Sequence, residues 1–372
     1  MWLSRIHTTN FKNLADNDIV FSKNLNCFTG KNGTGKTNLL DAIYYLSFTK
    51  SYLNPNDALN IKISHDFFIL EGVFFSEKDI SEKVYCAFSK DKKKVLKRDD
   101  KTYKRFSEHI GRYPLVIVSP DDSSLILGAA EERRKYMDTV IAQNDAEYLH
   151  SLIKYNRVLM QRNALLKKMN QESGSFANDT LDIYDLQLCE TGHFIYEKRK
   201  DIIQNLHPVF LQYYETIAGS NEQVGLEYRS HLDTESLENL LIKNRNKDKI
   251  LGYTTAGIHR DDLQFSIGSH SLRKAGSQGQ QKTFLIALKF SQYEFMTKIG
   301  GKKPLLLLDD IFDKFDADRV GEIVQLVSGE TFGQIFITDT NPKRIKRLID
   351  AEKHSYSLFT VTDGTIKQSD NE

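Results

Sequence analysis

The octapeptide Gly30-Lys31-Asn32-Gly33-Thr34-Gly35-Lys36-Thr37 constrains the fold of this chain more than any other segment. It fits GxxxxGK[ST], follows the apolar stretch Leu25-Asn26-Cys27-Phe28, and precedes a run in which Leu39, Leu40, Ile43 and Leu46 recur on one helical face. Strand, loop and helix in that order make a phosphate-binding unit. The glycines let the backbone close around a polyphosphate, the N–H groups and the helix N-terminus supply partial positive charge, and Lys36 supplies a full one. The Thr37 hydroxyl suits Mg2+. Gly30 through Thr37, with Asn38 next in the helix, are therefore the expected ATP-binding residues, and the expected fold class is α/β.

A second segment supplies the acidic partner. Leu305-Leu306-Leu307-Leu308 reads as a buried strand that delivers Asp309 and Asp310 to its C-terminal end, the edge at which open α/β sheets bind nucleotide. This is the Walker B arrangement. Asp309 would hold Mg2+ through water, Asp310 would orient or deprotonate the attacking water, and Lys36 is the other candidate catalytic residue. Between the two motifs lies Gly276-Ser277-Gln278-Gly279-Gln280-Gln281, ahead of a long, largely apolar helix that runs on from Lys282 to Phe295. Ser-x-Gly-Gln before a helix, about 30 residues ahead of a Walker B strand, is the core of the ABC signature. In that arrangement Ser277, Gly279, Gln280 and the helix N-terminus address the γ-phosphate of nucleotide bound to the opposite subunit.

Phe315-Asp316 resembles the D-loop that crosses such a dimer interface. Thr338-Asp339-Thr340 stands where transporter ATPases place a histidine, and Asp310 stands where most ABC ATPases use glutamate. Slow hydrolysis is expected, and whether Asp339 replaces the missing histidine is left open by the sequence.

Periodicity organises the rest. Strand patterns occupy 18–21, 67–75, 84–88 and 115–118, and again 305–308 and 334–338. From about Glu131 to Ile217 the period changes to 3.6, with Leu149, Leu152 and Ile153, then Leu181, Tyr184 and Leu188, then Leu206, Val209, Phe210 and Tyr213 marking successive helices. The Ser, Gly and Asn of Gln171 to Thr180 predict a connecting hairpin. Strands from both ends are expected to share one sheet. The division that follows is a composite mixed-sheet head with flanking helices, 1–130 plus 250–372, split by a helical lobe, 131–249. A chain of 372 residues is long enough for both.

Composition excludes several classes. Three cysteines, Cys27, Cys86 and Cys189, lack CxxC spacing, so neither a disulfide framework nor a zinc site is indicated. No apolar run approaches the roughly 18 residues needed to span a bilayer, and the start lacks a signal-peptide profile. A cytoplasmic setting without a membrane partner is expected. Lys+Arg 51 against Asp+Glu 50 leaves a net charge of +1, so any DNA contact must come from a local patch.

Motifs along the whole chain resemble the RecF family, bacterial recombinational-repair ATPases related to SMC proteins. They are Asn10-Phe11-Lys12-Asn13-Leu14; Ser119-Pro120-Asp121-Asp122 with Gly128 and Arg133-Arg134; Gln161-Arg162-Asn163-Ala164-Leu165-Leu166; Gly257-Ile258-His259-Arg260-Asp261-Asp262-Leu263; and Gly276-Ser277-Gln278-Gly279-Gln280-Gln281-Lys282-Thr283. The chain departs from the family pattern at Ile258, where proline is usual, and at Leu53, where arginine is common. The resemblance implies an ABC-type ATPase head with a short helical second lobe and an ATP-dependent homodimer. It also implies binding to DNA near single-strand gaps, partners RecO and RecR, the placing of RecA on gapped DNA, and support of SOS induction. Two other readings share part of the motif set. A transporter ATPase subunit shares both Walker motifs and the signature, but about 240 residues separate Thr37 from Ser277. A small-molecule P-loop kinase leaves Ser277 to Gln281 unexplained.

Two basic stretches are candidates for DNA. Lys90 to Arg105 carries nine cations against three acids, with Lys92, Lys94 and Arg98 the named contacts, and Tyr103 and Phe106 placed to stack or to pack. On the helical arm, Lys154, Arg157, Arg162, Lys167 and Lys168 have no acid between them, and Arg157 and Arg162 are the named contacts. The alternative for both is a solvated face. No helix-turn-helix or zinc-finger pattern suggests base-specific reading. Arg133-Arg134 are expected to pair with acidic groups near the hinge between the lobes, and His259-Arg260-Asp261-Asp262 to form a structural ion-pair network.

Overall fold

Strands that are buried at nearly every position must be covered on both faces, and four such strands build the centre of this protein. In the computed structural model, Leu115–Val118, Leu305–Asp309 and Ile335–Asp339 are buried throughout, and Leu25–Thr29 is buried up to its last residue. All four run parallel, with Leu25–Thr29 beside Ile335–Asp339, then Leu305–Asp309, then Leu115–Val118. Tyr356–Thr362 adds a further parallel strand beside Leu25–Thr29, and Thr365–Gln368 closes that edge as an antiparallel hairpin. Strands from the two ends of the chain therefore do share one sheet. The structure describes all residues except 77, 172–176, 220–221, 313–314, 316, 352–354 and 370–372.

A second, antiparallel sheet runs in the order Asn17–Val20, Trp2–Thr9, Phe67–Phe75, Ser81–Ser89, Lys92–Arg98, Lys101–Thr102. The helix Lys36–Phe48 is buried on nearly every side. Its Leu39, Leu40, Ile43 and Leu46 join one core with Leu3, Ile6, Phe68 and Leu70 of the antiparallel sheet and Phe28, Leu305, Leu307 and Phe336 of the parallel one. A helix buried on nearly every side needs such a layer, covered from both sheets.

By contacts the chain divides into two units. The first is Met1–Asp122, Gln212–Asn221 and Gln278–Glu372; the second is Ser123–Leu211 and Glu222–Ser277. These bounds differ from the expected 130 and 250. The reason is strand pairing: Asp262–Ile267 pairs with Val224–Arg229 and His270–Ser271 in a small three-stranded sheet of the second unit, so residues 250–277 do not go with the head. The helices anticipated around Leu181 and Leu206 are one, Ala177–Ala218, with Pro208 inside it. The expected hairpin between Gln171 and Thr180 falls largely on 172–176, outside the described residues.

Two fully buried arginines brace the second unit. Arg162 donates to Asp185 at 2.6 Å and to Asp248 and Thr254 at 2.8 Å, while Arg199 donates to Asp138 at 2.8 Å, to Asp261 at 3.1 Å and to the Ile258 carbonyl at 2.8 Å. Arg133 pairs with Asp262 at 2.7 Å, Arg134 donates to the Asp261 carbonyl at 2.6 Å, and His259 bonds Tyr155 and the Thr254 carbonyl, each at 3.0 Å. Arg133–Asp262 and Arg199–Asp261 are ion pairs of the kind expected, whereas Arg134 and His259 join the network through backbone carbonyls and a tyrosine hydroxyl. Among the described residues no helix is long and apolar enough to cross a membrane.

Candidate functional site

The glycine loop takes a shape that its residues alone permit. Gly33 and Gly35 have φ of 80° and 112°, in the left-handed region where a Cβ is strained, and a Cβ on Gly30 would come within 2.4 Å of the Val361 carbonyl oxygen. Gly35 ends the loop at the N-terminus of the helix Lys36–Phe48. The Lys36 ammonium is buried and donates to the Gly30 and Lys31 carbonyls at 2.8 and 3.0 Å. Burial pulls its pKa below the usual lysine value, opposed by the negative charges of Asp310, Asp309 and Asp339.

Two other segments hold the loop. Asn13 donates to the Gly33 carbonyl at 2.9 Å and accepts from Asn38 at 2.7 Å, so the Asn10–Leu14 motif is part of the site's frame. At the tip of the C-terminal hairpin the Gly364 N–H donates to the Thr34 carbonyl at 2.8 Å, and the Gly364 carbonyl accepts from Ala15 at 2.9 Å and from Asn17 at 3.0 Å.

The Walker B strand ends against this loop. Thr37 donates to Asp309 Oδ1 at 3.1 Å, and Thr338 donates to the same oxygen at 2.7 Å. Asp309 is buried; burial raises its pKa, while the bonds from Thr338 and Thr37 oppose the rise. Asp310, half-exposed, leaves the strand with φ 49° and donates its N–H to Thr338 Oγ1 at 3.0 Å. Asn32, Gly33, Gly35, Lys36, Thr37, Asn38, Asp309 and Asp310 line one cavity of about 240 Å³. The Thr37 hydroxyl beside the Asp309 carboxylate is an all-oxygen donor set, which suits a hard cation such as Mg2+. Asp339 is fully buried; its Oδ1 accepts from the Asn341 N–H at 2.6 Å, and Arg344 lies 3.6 Å from its Oδ2.

The signature residues stand elsewhere. The helix Gln278–Gly300 starts directly after Ser277, which is exposed, while Gly279 and Gln280 are half-buried, and none of the three lines the cavity that holds Lys36 and Asp309. Lys282, in the first turns of that helix, donates to the Ile311 carbonyl at 3.3 Å and lies 5.2 Å from the centre of the Phe315 ring. Asp316 of the expected D-loop lies outside the described residues.

A buried polar chain also braces the loop helix. Lys12 pairs with Asp41 of the loop helix at 2.6 Å, and Asp41 also accepts from Ser51 at 2.6 Å and from the Tyr52 N–H at 2.7 Å. The Tyr52 hydroxyl donates to Asp122 at 2.8 Å, and Lys289 of the signature helix pairs with Asp122 at 2.6 Å. Lys12 and Asp122 stand in motifs of the sequence, but no local pattern names Asp41 or Lys289 as their partners. Nor does the sequence give Thr338 a role of its own, because that role depends on the neighbouring strand.

The DNA candidates divide. Lys92 and Arg157 are exposed, and Arg98 is half-buried with its guanidinium 5.9 Å from the centre of the Tyr103 ring. Lys94 is not a DNA contact: its ammonium donates to Asp57 and the Thr49 carbonyl, each at 2.8 Å, and is largely buried between the sheet and the end of the loop helix. Arg162 is not one either, being fully buried on Asp185 and Asp248. In sequence both look exposed, because their acidic partners are distant along the chain. Tyr103 and Phe106 pack against the core.

Residues 1–256 match a family model described as an AAA ATPase domain. The DNA replication and repair protein RecF of Flavobacterium johnsoniae is 50% identical over 361 residues, covering 97% of this chain and 100% of that one. Its counterpart in Parabacteroides distasonis is 46% identical over 367 residues, 99% of each. Among solved structures, that of the recombination mediator protein RecF-ATPrS in the RecFOR pathway superimposes with a TM-score of 0.87 at 30% identity, covering 99% of this chain and 98% of that one. The Smc head domain from Pyrococcus furiosus, solved with an extended coiled coil and bound to the C-terminal domain of ScpA, has a TM-score of 0.58 at 14% identity and shares the fold. The fold is thus an ABC-type ATPase head carrying an inserted lobe.

Proposed function

The chain belongs to the RecF family of DNA replication and repair proteins, and from that premise we propose that it is an ATP-driven switch for DNA repair. ATP occupies the cavity between the glycine loop and the Walker B strand and joins two copies head to tail, with Ser277, Gly279 and Gln280 of each completing the other's site. The observation that carries this reading is the separation of the motifs. Walker A and Walker B meet in one cavity, while the signature opens an exposed helix N-terminus that does not line it. ATP bound this way stabilises only the dimer, and that difference in affinity is what makes a switch.

Within the cavity Lys36 and the loop N–H groups hold the β- and γ-phosphates, and Asp310 orients the attacking water. Thr37 and Asp309 would hold Mg2+, which when bound supplies positive charge to the phosphate oxygens. Aspartate at 310 has a shorter reach than glutamate, and Thr340 rather than a histidine comes directly after the strand Ile335–Asp339, so turnover is slow and serves as a reset. The dimer binds DNA near single-strand gaps through exposed cations, with Lys92, Arg98 and Arg157 the named candidates, and acts with RecO and RecR in loading RecA and supporting SOS induction. The relatives described above, DNA replication and repair proteins that match over nearly the whole chain, favour this reading over a transporter role.

Sedimentation with and without a slowly hydrolysed ATP analogue tests the switch. Nucleotide should convert monomer to dimer in the wild type and leave Lys36→Ala monomeric; no nucleotide-dependent association would overturn it. Binding to gapped, single-stranded and duplex DNA, with and without ATP, tests the substrate.

A further inference from the structure

We propose that Thr338 is a positioning residue for ATP hydrolysis, setting both Walker B carboxylates through its single hydroxyl. The inference rests on the reading of Asp309 and Asp310 as cation holder and water-orienting group. Its physical basis lies in where the sheet ends. Ile335–Asp339 runs between the loop strand and the Walker B strand, and Thr338 is paired across the ladder with Phe28 on one side and Asp309 on the other. Asp309 and Thr338 form the last pair between those two strands, so the Asp310 N–H has no ladder partner. It turns back instead onto Thr338 Oγ1 at 3.0 Å.

The hydroxyl is used in both senses. It accepts from Asp310 and donates its one proton to Asp309 Oδ1 at 2.7 Å, and Thr338 is fully buried, so solvent does not compete for its hydroxyl. The donation fixes the Asp309 carboxylate, whose Oδ1 is shared with Thr37. The acceptance holds the start of the turn at Asp310, whose φ of 49° is costly for a residue with a Cβ and needs a local restraint. One side chain thereby sets the carboxylate that would hold the cation and the direction in which the next one points. Serine could do the same with the same hydroxyl. Valine, equal in shape, could do neither.

The test compares Thr338→Val and Thr338→Ser with the wild type in three measurements: affinity for a fluorescent ATP analogue, the Mg2+ concentration that half-saturates that binding, and steady-state hydrolysis. The valine variant should bind the analogue within about threefold at saturating Mg2+, need several-fold more Mg2+, and lose roughly tenfold or more in kcat at little changed KM. The serine variant should recover both the Mg2+ dependence and kcat. Wild-type Mg2+ dependence and kcat in the valine variant, or equal losses in valine and serine, would overturn the proposal. Asp310→Asn separates this from the underlying reading. If that variant is inactive while Thr338→Val is unimpaired, only the role of Thr338 falls; if Asp310→Asn hydrolyses normally, both fall.

Discussion

Replacing Arg162 with methionine separates a structural brace from a nucleic-acid contact. The guanidinium is fully buried and holds Asp185 at 2.6 Å, Asp248 at 2.8 Å and Thr254 at 2.8 Å. Breaking a buried pair by removing one partner leaves an uncompensated charge and costs about 3–5 kcal/mol. The surroundings place this case at the low end. Asp185 retains Arg245 at 2.7 Å, and Asp248 retains the Thr255 N–H and hydroxyl at 2.9 and 2.7 Å. A loss of about 3 kcal/mol is therefore expected in urea unfolding of the full chain. Adding Asp248→Asn should recover part of it, because the amide still accepts from Thr255 and carries no charge. Arg157→Ala, at an exposed site on the same helix, should change stability by no more than about 0.5 kcal/mol. If Arg157 meets DNA, that second variant weakens binding and lowers its salt dependence without touching stability. An Arg162→Met protein of wild-type stability with a weakened, salt-shifted affinity for DNA would refute the assignment of Arg162 as a brace.

Two further outcomes test the first unit. His109 is fully buried, its Nε2 is 2.7 Å from the Leu46 carbonyl, and burial pulls its pKa from 6.5 to about 4. It stays neutral in the folded chain and protonates below 6.5 in the unfolded one, so its contribution is complete above pH 6.5 and declines as pH falls toward 4. About 2 kcal/mol should be lost between pH 7 and pH 5, and the urea midpoint of His109→Gln should fall less over that interval than the wild type's. Gly364 has φ of 79°, and a Cβ there would meet the Asn13 carbonyl oxygen at 2.1 Å. Gly364→Ala should weaken binding of an ATP analogue by the order of tenfold or more, as loop strain of one to a few kcal/mol implies. Gly364→Asn, which tolerates the angle but keeps the clash, should be no better.

What the sequence disclosed was the chemistry that adjacent residues perform together. The glycine loop, the Walker B aspartates and the signature serine each occupy one turn or one strand end, where spacing along the chain equals spacing in the fold. Apolar strands were legible for the same reason, since 67–75 and 115–118 carry their burial pattern in their own residues. Trp2–Thr9 was not: its register shifts between Leu3 and Arg5, which breaks the alternation that would announce a strand.

The misplaced cations show where reading from neighbours stops. A lysine or arginine in a window where cations outnumber acids reads as solvated or as a phosphate contact, and that inference assumes that its counter-charge would be close in sequence. Asp57 lies 37 residues before Lys94; Asp185 and Asp248 lie 23 and 86 residues beyond Arg162. The same distance works in favour of function at Thr338. Its partner Asp309 is 29 residues away in sequence and directly beside it in the sheet. Strand order thus decides which polar residues meet. That order is fixed by burial of apolar strands, Leu305–Leu308 among them, whose side chains contribute nothing to the chemistry. A substitution in those strands that slid the ladder by one residue would leave every motif intact in sequence, yet face Asp309 with the backbone of Ile337 or Asp339 in place of the Thr338 hydroxyl.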